Sequence, residues 1–256
     1  MTSRFDSLLW FPTVEPNSSA LMRLFCFPYA GGSITVFRNW AKYLPSSIEI
    51  CPIQLPGRGA RFLEPSFQQI TPLLSAICKK IEPFLDKPFA FFGHSLGGLI
   101  AYELAHRVRS KYSKQPIHLM VSACPAPGEI NKHRSLCKLS DKDLITELRQ
   151  LKGTPMDLLE NEELMALTLP TLRADFSLYE SYNYTFHESL ECPVTVLGGM
   201  QDHVISTGKL ERWYRETTGE FSFYHFSGDH FFLHSEEAAV LTLIQQKLLS
   251  LIYKVA

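Results

Sequence analysis

FFGHSLGGLI (residues 91–100) sets a serine two residues from a glycine on either side, directly after a run of bulky apolar residues. The preceding KPFAFFG (87–93) is short, aromatic and apolar, opens at Asp86-Lys87-Pro88, and reads as a buried strand. The following LIAYELAHRVRSKY (99–112) carries Leu99, Ile100, Leu104 and Val108 near helical spacing. Its basic residues gather towards the end, where they suit the negative pole of a helix. Gly93-His94-Ser95-Leu96-Gly97 between the two fits G-x-S-x-G, a sharp strand-to-helix turn that lifts a serine above a sheet. Each glycine removes a Cβ where the backbone must double back. The string alone occurs by chance in many chains, and the plain alternative is a serine that caps a helix. Its place between a strand and a helix gives it weight.

An attacking serine needs a base, and the base needs an orienting acid. Of nine histidines, His94 points elsewhere from such a turn, His106 falls in the next helix, and His118 and His225 sit in strand-like runs. His133 and His187 belong to the middle of the chain, and His203 stands beside the acid candidate, too close in sequence to face it. His230 lies in the Ser-Gly-Asp loop between FSFYHF and the last long helical stretch, with His234 as its competitor. ECPVTVLGGMQDHV (191–204) reads as a strand followed by a loop carrying Asp202. Singly, Asp202 is an ordinary turn residue and His230 a polar residue at a helix entry. Together, Ser95, Asp202 and His230 follow the triad order of the α/β-hydrolases, whose sites lie at the C-terminal ends of parallel strands.

A tetrahedral intermediate also needs two backbone donors for its oxyanion. One is the Leu96 N–H after the serine; the other is expected from the loop after an early strand. LMRLFCFPYAGGS (21–33) supplies that loop, with the Ala30 N–H as second donor, although an ordinary glycine-rich turn reads the same way. The chain has no G-x-G-x-x-G, no Walker A lysine and no grouped Cys/His metal spacing.

The runs LMRLFCF, IEICPIQL, FAFFG, IHLMVSA, VTVLGG and FSFYHF alternate with helical stretches. That predicts one α/β domain over residues 1–256, of the α/β-hydrolase fold: a mostly parallel sheet flanked by helices. Residues 129–188 break the alternation. LSDKDLITELRQLKG reads as a helix with a capping box at Ser140 and Asp143 and a stop at Gly153. DLLENEELMALTLPTLRADFSLYESY reads as helices interrupted by Pro170. So much helix outside the sheet order predicts a lid over the Ser95 face. Leu144, Met156, Leu159, Leu164, Met165, Leu167, Phe176 and Tyr179 either line an acyl chamber there or dock the lid on the core. Tyr29, Met165 and Phe176 are the candidates for substrate contact.

FCFPYAGGS, QLPGRGARFLEP, KPFAFFGHSLGG, LTLPTLRADFSLYESY, VLGGMQDHV and FSGDHFFL, in order from about residue 20 to about residue 245, resemble the type II thioesterases. These are the stand-alone enzymes that accompany nonribosomal peptide and polyketide synthases, and the medium-chain acyl-carrier-protein thioesterase of animals is similar in the same places. FPYAGG, PGRG and GDHFFL are not general hydrolase features. The chain departs from the family at SACPAPGE (122–129), where Cys124-Pro125 replaces a basic pair that members often carry before Ala-Pro. The resemblance implies hydrolysis of acyl thioesters on the phosphopantetheine arm of an acyl or peptidyl carrier protein, with no cofactor beyond that arm. It puts nucleophile, acid and base on Ser95, Asp202 and His230. A carboxylesterase, an acyltransferase, or a non-catalytic binding module on the same fold are the alternatives.

A chain of 256 residues, 45% hydrophobic, buries a full core. A net charge of −1 argues against a general polyanion binder, so no nucleic acid is expected as partner. Met1–Pro16 offers only LLWF as an apolar run, too short for a signal segment, and no stretch approaches a membrane span. Six scattered cysteines without CxxC spacing fit free thiols in a cytoplasmic protein, with a monomer as the default. EINKHRSLCK (129–138) offers Lys132, Arg134 and Lys138 at the entry to the lid, either as a patch for an acidic carrier protein or as a solvated linker.

Overall fold

The computed structural model describes residues 7–12, 17–130 and 135–255. The six strand-like runs become β1 (Met22–Phe27), β2 (Ile48–Pro52), β3 (Phe89–His94), β4 (His118–Ser122), β5 (Val194–Gly199) and β6 (Phe221–Phe226). They form one sheet in the order β2-β1-β3-β4-β5-β6, every neighbouring pair parallel. β1 to β4 are buried along their whole length, as a sheet covered on both faces requires. Alternate side chains sort to opposite cores. Phe25, Phe27 and Phe91 meet edge-on on one face, while Phe92 meets Phe37 and Trp40 on the other.

The first face is covered by α1 (Ile70–Ile81) and α2 (Leu96–Tyr112), through residues such as Ile77, Leu99 and Ile100. The helix that closes the chain, Glu237–Val255, covers the second through Val240, Leu241, Ile244 and Leu248. From β1 the chain steps outward to β2, then crosses to β3 on the other side of β1. The loops after β1 and β3 therefore diverge and open a crevice at the C-terminal ends of those strands.

Between β4 and β5 lie α3 (Asp141–Leu151), a short turn of helix at Met156–Leu159, and α4 (Glu162–Glu180). Ser140 Oγ accepts from the Asp143 N–H at 3.2 Å, the N-terminal cap the sequence predicts. Two expectations change. The left-handed residue that stops α3 is Lys152 (φ 58), not Gly153. Gly153 is needed for space instead, since a Cβ there would fall 2.0 Å from the Phe231 ring. Pro170 does not interrupt the helix either: α4 runs through it. The missing N–H removes one backbone bond, but Leu169, Thr171, Leu172 and Asp175 around it are all buried, and tertiary packing outweighs the local penalty.

Candidate active site

Ser95 joins β3 to α2 at φ 54 and ψ −117, a conformation that a residue with a side chain rarely adopts. The neighbouring glycines make the turn possible. A Cβ on Gly93 would lie 2.1 Å from the Gly97 carbonyl oxygen, and one on Gly97 would lie 2.0 Å from that of Phe27. No side chain fits at either position. The Ser95 N–H remains tied to the sheet through the Ser122 carbonyl at 2.8 Å, so the strained turn is held from below.

His230 Nε2 stands 3.1 Å from Ser95 Oγ, and its Nδ1 stands 2.8 Å from Asp202 Oδ2. An ionised carboxylate only accepts, so Nδ1 carries the ring proton and Nε2 is left to accept from the serine hydroxyl. Asp202 Oδ1 takes the N–H groups of Val204 and Ile205 at 2.7 and 3.0 Å, which fixes the carboxylate in the loop after β5. The structure thus brings together Ser95, Asp202 and His230, from the ends of β3, β5 and β6. His234 pairs with the Tyr29 hydroxyl at 2.9 Å instead, and His225 is exposed on β6.

His94 is buried, and both of its ring nitrogens bond to partners other than the Ser95 hydroxyl. A carbonyl only accepts, so its Nε2–H donates to the His230 carbonyl at 3.0 Å and its Nδ1 accepts from the Ser122 hydroxyl at 2.9 Å. Burial first, then the neighbouring rings of His230 and His234, hold its pKa well below the usual histidine range. The neutral ring is a buttress for the backbone of His230. Ala30 and Leu96 both line the cavity beside Ser95, and among the described residues neither of their N–H groups donates to a protein acceptor. Both are therefore available to an oxygen on the reacting carbon.

That cavity has a volume of about 550 Å³. Tyr29, Ala30, Ser95, Leu96, His230 and Phe231 form its sheet side, and Leu136, Leu148, Leu151, Leu172, Phe176 and Tyr179 of the helical insertion roof it. Tyr29, Phe176 and Tyr179 line it, and Tyr179 also packs against the main core, so there lining and docking go together. Met165 does not line the cavity. With Leu144, Leu148, Leu159, Leu169 and Leu172 it fills a core internal to the insertion, while Met156, Leu164 and Leu167 lie on the outer surface. A helix with apolar residues on several sides does not announce which stripe faces the cavity. Leu148, Leu151 and Leu172 were not singled out in the sequence for the same reason.

Lys132 and Arg134 lie outside the described residues, and Lys138 is exposed on the short turn Leu136–Lys138, whose Leu136 enters the cavity wall. At the family departure, Pro125 lines the cavity and the Cys124 carbonyl accepts from Trp213 Nε1–H at 2.8 Å. Among the described residues no group of three or more His, Cys, Asp or Glu is placed to share a metal ion. None of their helices is long and apolar enough to cross a membrane.

A family profile described as "Thioesterase domain" matches residues 22–248. Gramicidin S biosynthesis protein GrsT of Aneurinibacillus migulanus is 41% identical over 239 residues, 93% of each chain. The solved structure of the RedJ thioesterase from the prodiginine biosynthetic pathway of Streptomyces coelicolor matches with a TM-score of 0.84 and 34% identity, over 90% of this chain and 88% of that one. The type II thioesterase BorB from the borrelidin biosynthetic cluster matches with a TM-score of 0.86 and 33% identity, over 93% and 97%.

Proposed function

The chain belongs to the thioesterase family, enzymes that hydrolyse thioesters, and we propose that it acts through Ser95 on acyl groups carried by the phosphopantetheine arm of a carrier protein. The observation that supports this reading is the continuous hydrogen-bonded chain Ser95–His230–Asp202, opening on an apolar cavity under helices. The relatives are named for gramicidin S biosynthesis, the prodiginine pathway and the borrelidin cluster, and further similar structures come from NRPS/PKS pathways, which points to a nonribosomal peptide or polyketide assembly line as the source of the carrier.

In the first half-reaction the serine proton passes to His230 Nε2 as Oγ attacks the thioester carbonyl carbon. The Ala30 and Leu96 N–H groups hold the oxyanion. Collapse breaks the C–S bond, His230 returns the proton to the pantetheine sulfur, and the acyl group stays on Ser95 as an ester. Water then attacks that ester with its proton going to His230, and collapse of the second intermediate returns the proton to Ser95 Oγ and frees the acid. Asp202 holds the imidazole in the required tautomer and stabilises its charged form throughout. No cofactor beyond the partner's arm enters. On this reading the enzyme works as a monomer in the cytoplasm, beside its carrier, either editing wrong acyl groups or releasing product.

Turnover of a panel of acyl-loaded carrier proteins, beside the same acyl groups on coenzyme A and as p-nitrophenyl esters, tests the proposal. Higher kcat/KM on the carrier-bound thioesters is the expected result. Rapid turnover of the esters with inert carrier thioesters would make the protein a carboxylesterase instead.

A further inference from the structure

Arg58, in the PGRG turn after β2, and Asp175, in the middle of α4, form a buried two-point ion pair: Nη1 to Oδ2 at 2.5 Å and Nη2 to Oδ1 at 2.8 Å. Arg58 also donates to two carbonyls, Nε to Pro56 at 3.2 Å and Nη1 to Gly32 at 3.4 Å. Asp175 Oδ2 accepts once more, from the N–H of Gly31 at 2.7 Å. The pair therefore grips both residues that follow Ala30, Gly31 by its N–H and Gly32 by its carbonyl. Gly32 in turn donates its N–H to the Tyr29 carbonyl at 2.9 Å. That carbonyl shares one peptide plane with the Ala30 N–H, so fixing the first fixes the direction of the second.

A buried ion pair is poor evidence of stabilisation, because desolvating two charges offsets their attraction. Its geometry is better evidence of placement. α4 leans on the same loops elsewhere: Thr171 Oγ1 donates to the Gly57 carbonyl at 2.8 Å, and a Cβ on Gly31 would fall 2.6 Å from Leu172 Cδ2. Leu172 and Phe176, one turn apart on the helix and on either side of Asp175 in the chain, roof the acyl cavity. We propose that Asp175, oriented by Arg58, is a positioning residue that aims the Ala30 N–H at the oxyanion and locks the roof helix to the oxyanion loop. Roof and donor are thereby set as one unit. The inference rests on Ala30 serving as an oxyanion donor, as read above.

The test removes both charges together, because a matched apolar replacement of a buried pair often leaves the fold as stable as before, whereas removing one partner strands the other. The double variant Arg58→Met/Asp175→Leu is measured for Tm, for kcat and KM on a small acyl thioester, and for affinity towards an alkyl boronic acid that forms a tetrahedral adduct with Ser95. Losing an oxyanion donor outright costs roughly 100- to 1,000-fold in kcat. A misaimed donor should cost about 10- to 100-fold, in kcat and boronate affinity alike, with KM changed little. Should the double variant not fold, Arg58→Lys keeps the charge but loses the fork, and the same parallel loss is expected on a smaller scale. A folded variant with wild-type kcat and boronate affinity overturns the inference, as does a kcat loss with boronate affinity unchanged. A wild type inert towards thioester and boronate would overturn the reading of the site itself, and the inference with it; an active wild type with an indifferent variant overturns the inference alone.

Discussion

Ser95 is held by its backbone and contributes little packing, so its hydroxyl can be removed without disturbing the turn. Ser95→Ala is expected to keep the Tm of the wild type and to lose thioester turnover by roughly 10⁴-fold or more. His230→Ala should be comparable. Asp202→Asn also impairs, because an amide can donate to Nδ1 and favour the wrong tautomer. Steady-state kinetics on one acyl thioester checks all three, and an active His230→Ala beside an inert His234→Ala would reverse the choice of base. These three residues were legible because chain order and position after strands constrain each other: one serine elbow, then an acid, then a histidine, each at a strand end. Arg58 and Asp175 were visible only as parts of family-like stretches. They stand 117 positions apart, and no spacing rule links two residues that meet through the fold alone.

At the scale of elements, the inner strands were readable because a sheet covered on both faces demands short, apolar runs, while the half-exposed edge strand β6 was readable by the alternation of FSFYHF. The insertion was harder. Its helices existed where amphipathic spacing put them, yet Pro170 and Gly153 misled, since a local penalty says nothing about the packing that overrides it. The division of labour inside the insertion gives a test. Phe176→Ala enlarges the cavity and should shift preference towards longer or bulkier acyl chains, read as a changed ratio of kcat/KM across chain lengths. Met165→Ala, in the insertion's own core, should lower stability by about 2–5 kcal/mol in urea unfolding and leave that ratio alone. A shift in chain preference from Met165→Ala, with none from Phe176→Ala, would invert the assignment. Gly97→Ala at the elbow should cost both folding yield and activity, because the added Cβ meets the Phe27 backbone rather than a movable side chain. A well-folded, fully active Gly97→Ala would refute the tight turn.

For the molecule as a whole, buried histidines make stability depend on pH. His106 stacks on His187 at 4.3 Å, and burial, then the charges of His187 and Arg109, push its pKa down to about 3. His118, hydrogen-bonded to Thr195, is pushed down to about 4, again mainly by burial. Unfolded, both take up a proton as the pH falls through about 6.5. Folded, they resist it until about 3 and about 4. Between those values the unfolded chain binds more protons, so stability falls as the pH falls, by up to about 1.4 kcal/mol per pH unit for each histidine. Urea unfolding at pH 7.5 and pH 5 should show this loss, and His106→Phe should make it shallower. Equal slopes in the two proteins would contradict the placement of His106. Nothing in the sequence around His106 signalled it, because burial of a helix residue depends on what packs across from it.

In the proposed mechanism one serine does the chemistry. Titration with a fluorophosphonate, followed by peptide mass spectrometry and residual thioester turnover, tests it most directly. One phosphonyl group per chain is expected, on Ser95, with turnover falling in proportion to the labelled fraction and little or no labelling of His230→Ala. Full turnover after complete modification of Ser95, or stoichiometric label on another residue with matching loss of activity, would contradict it.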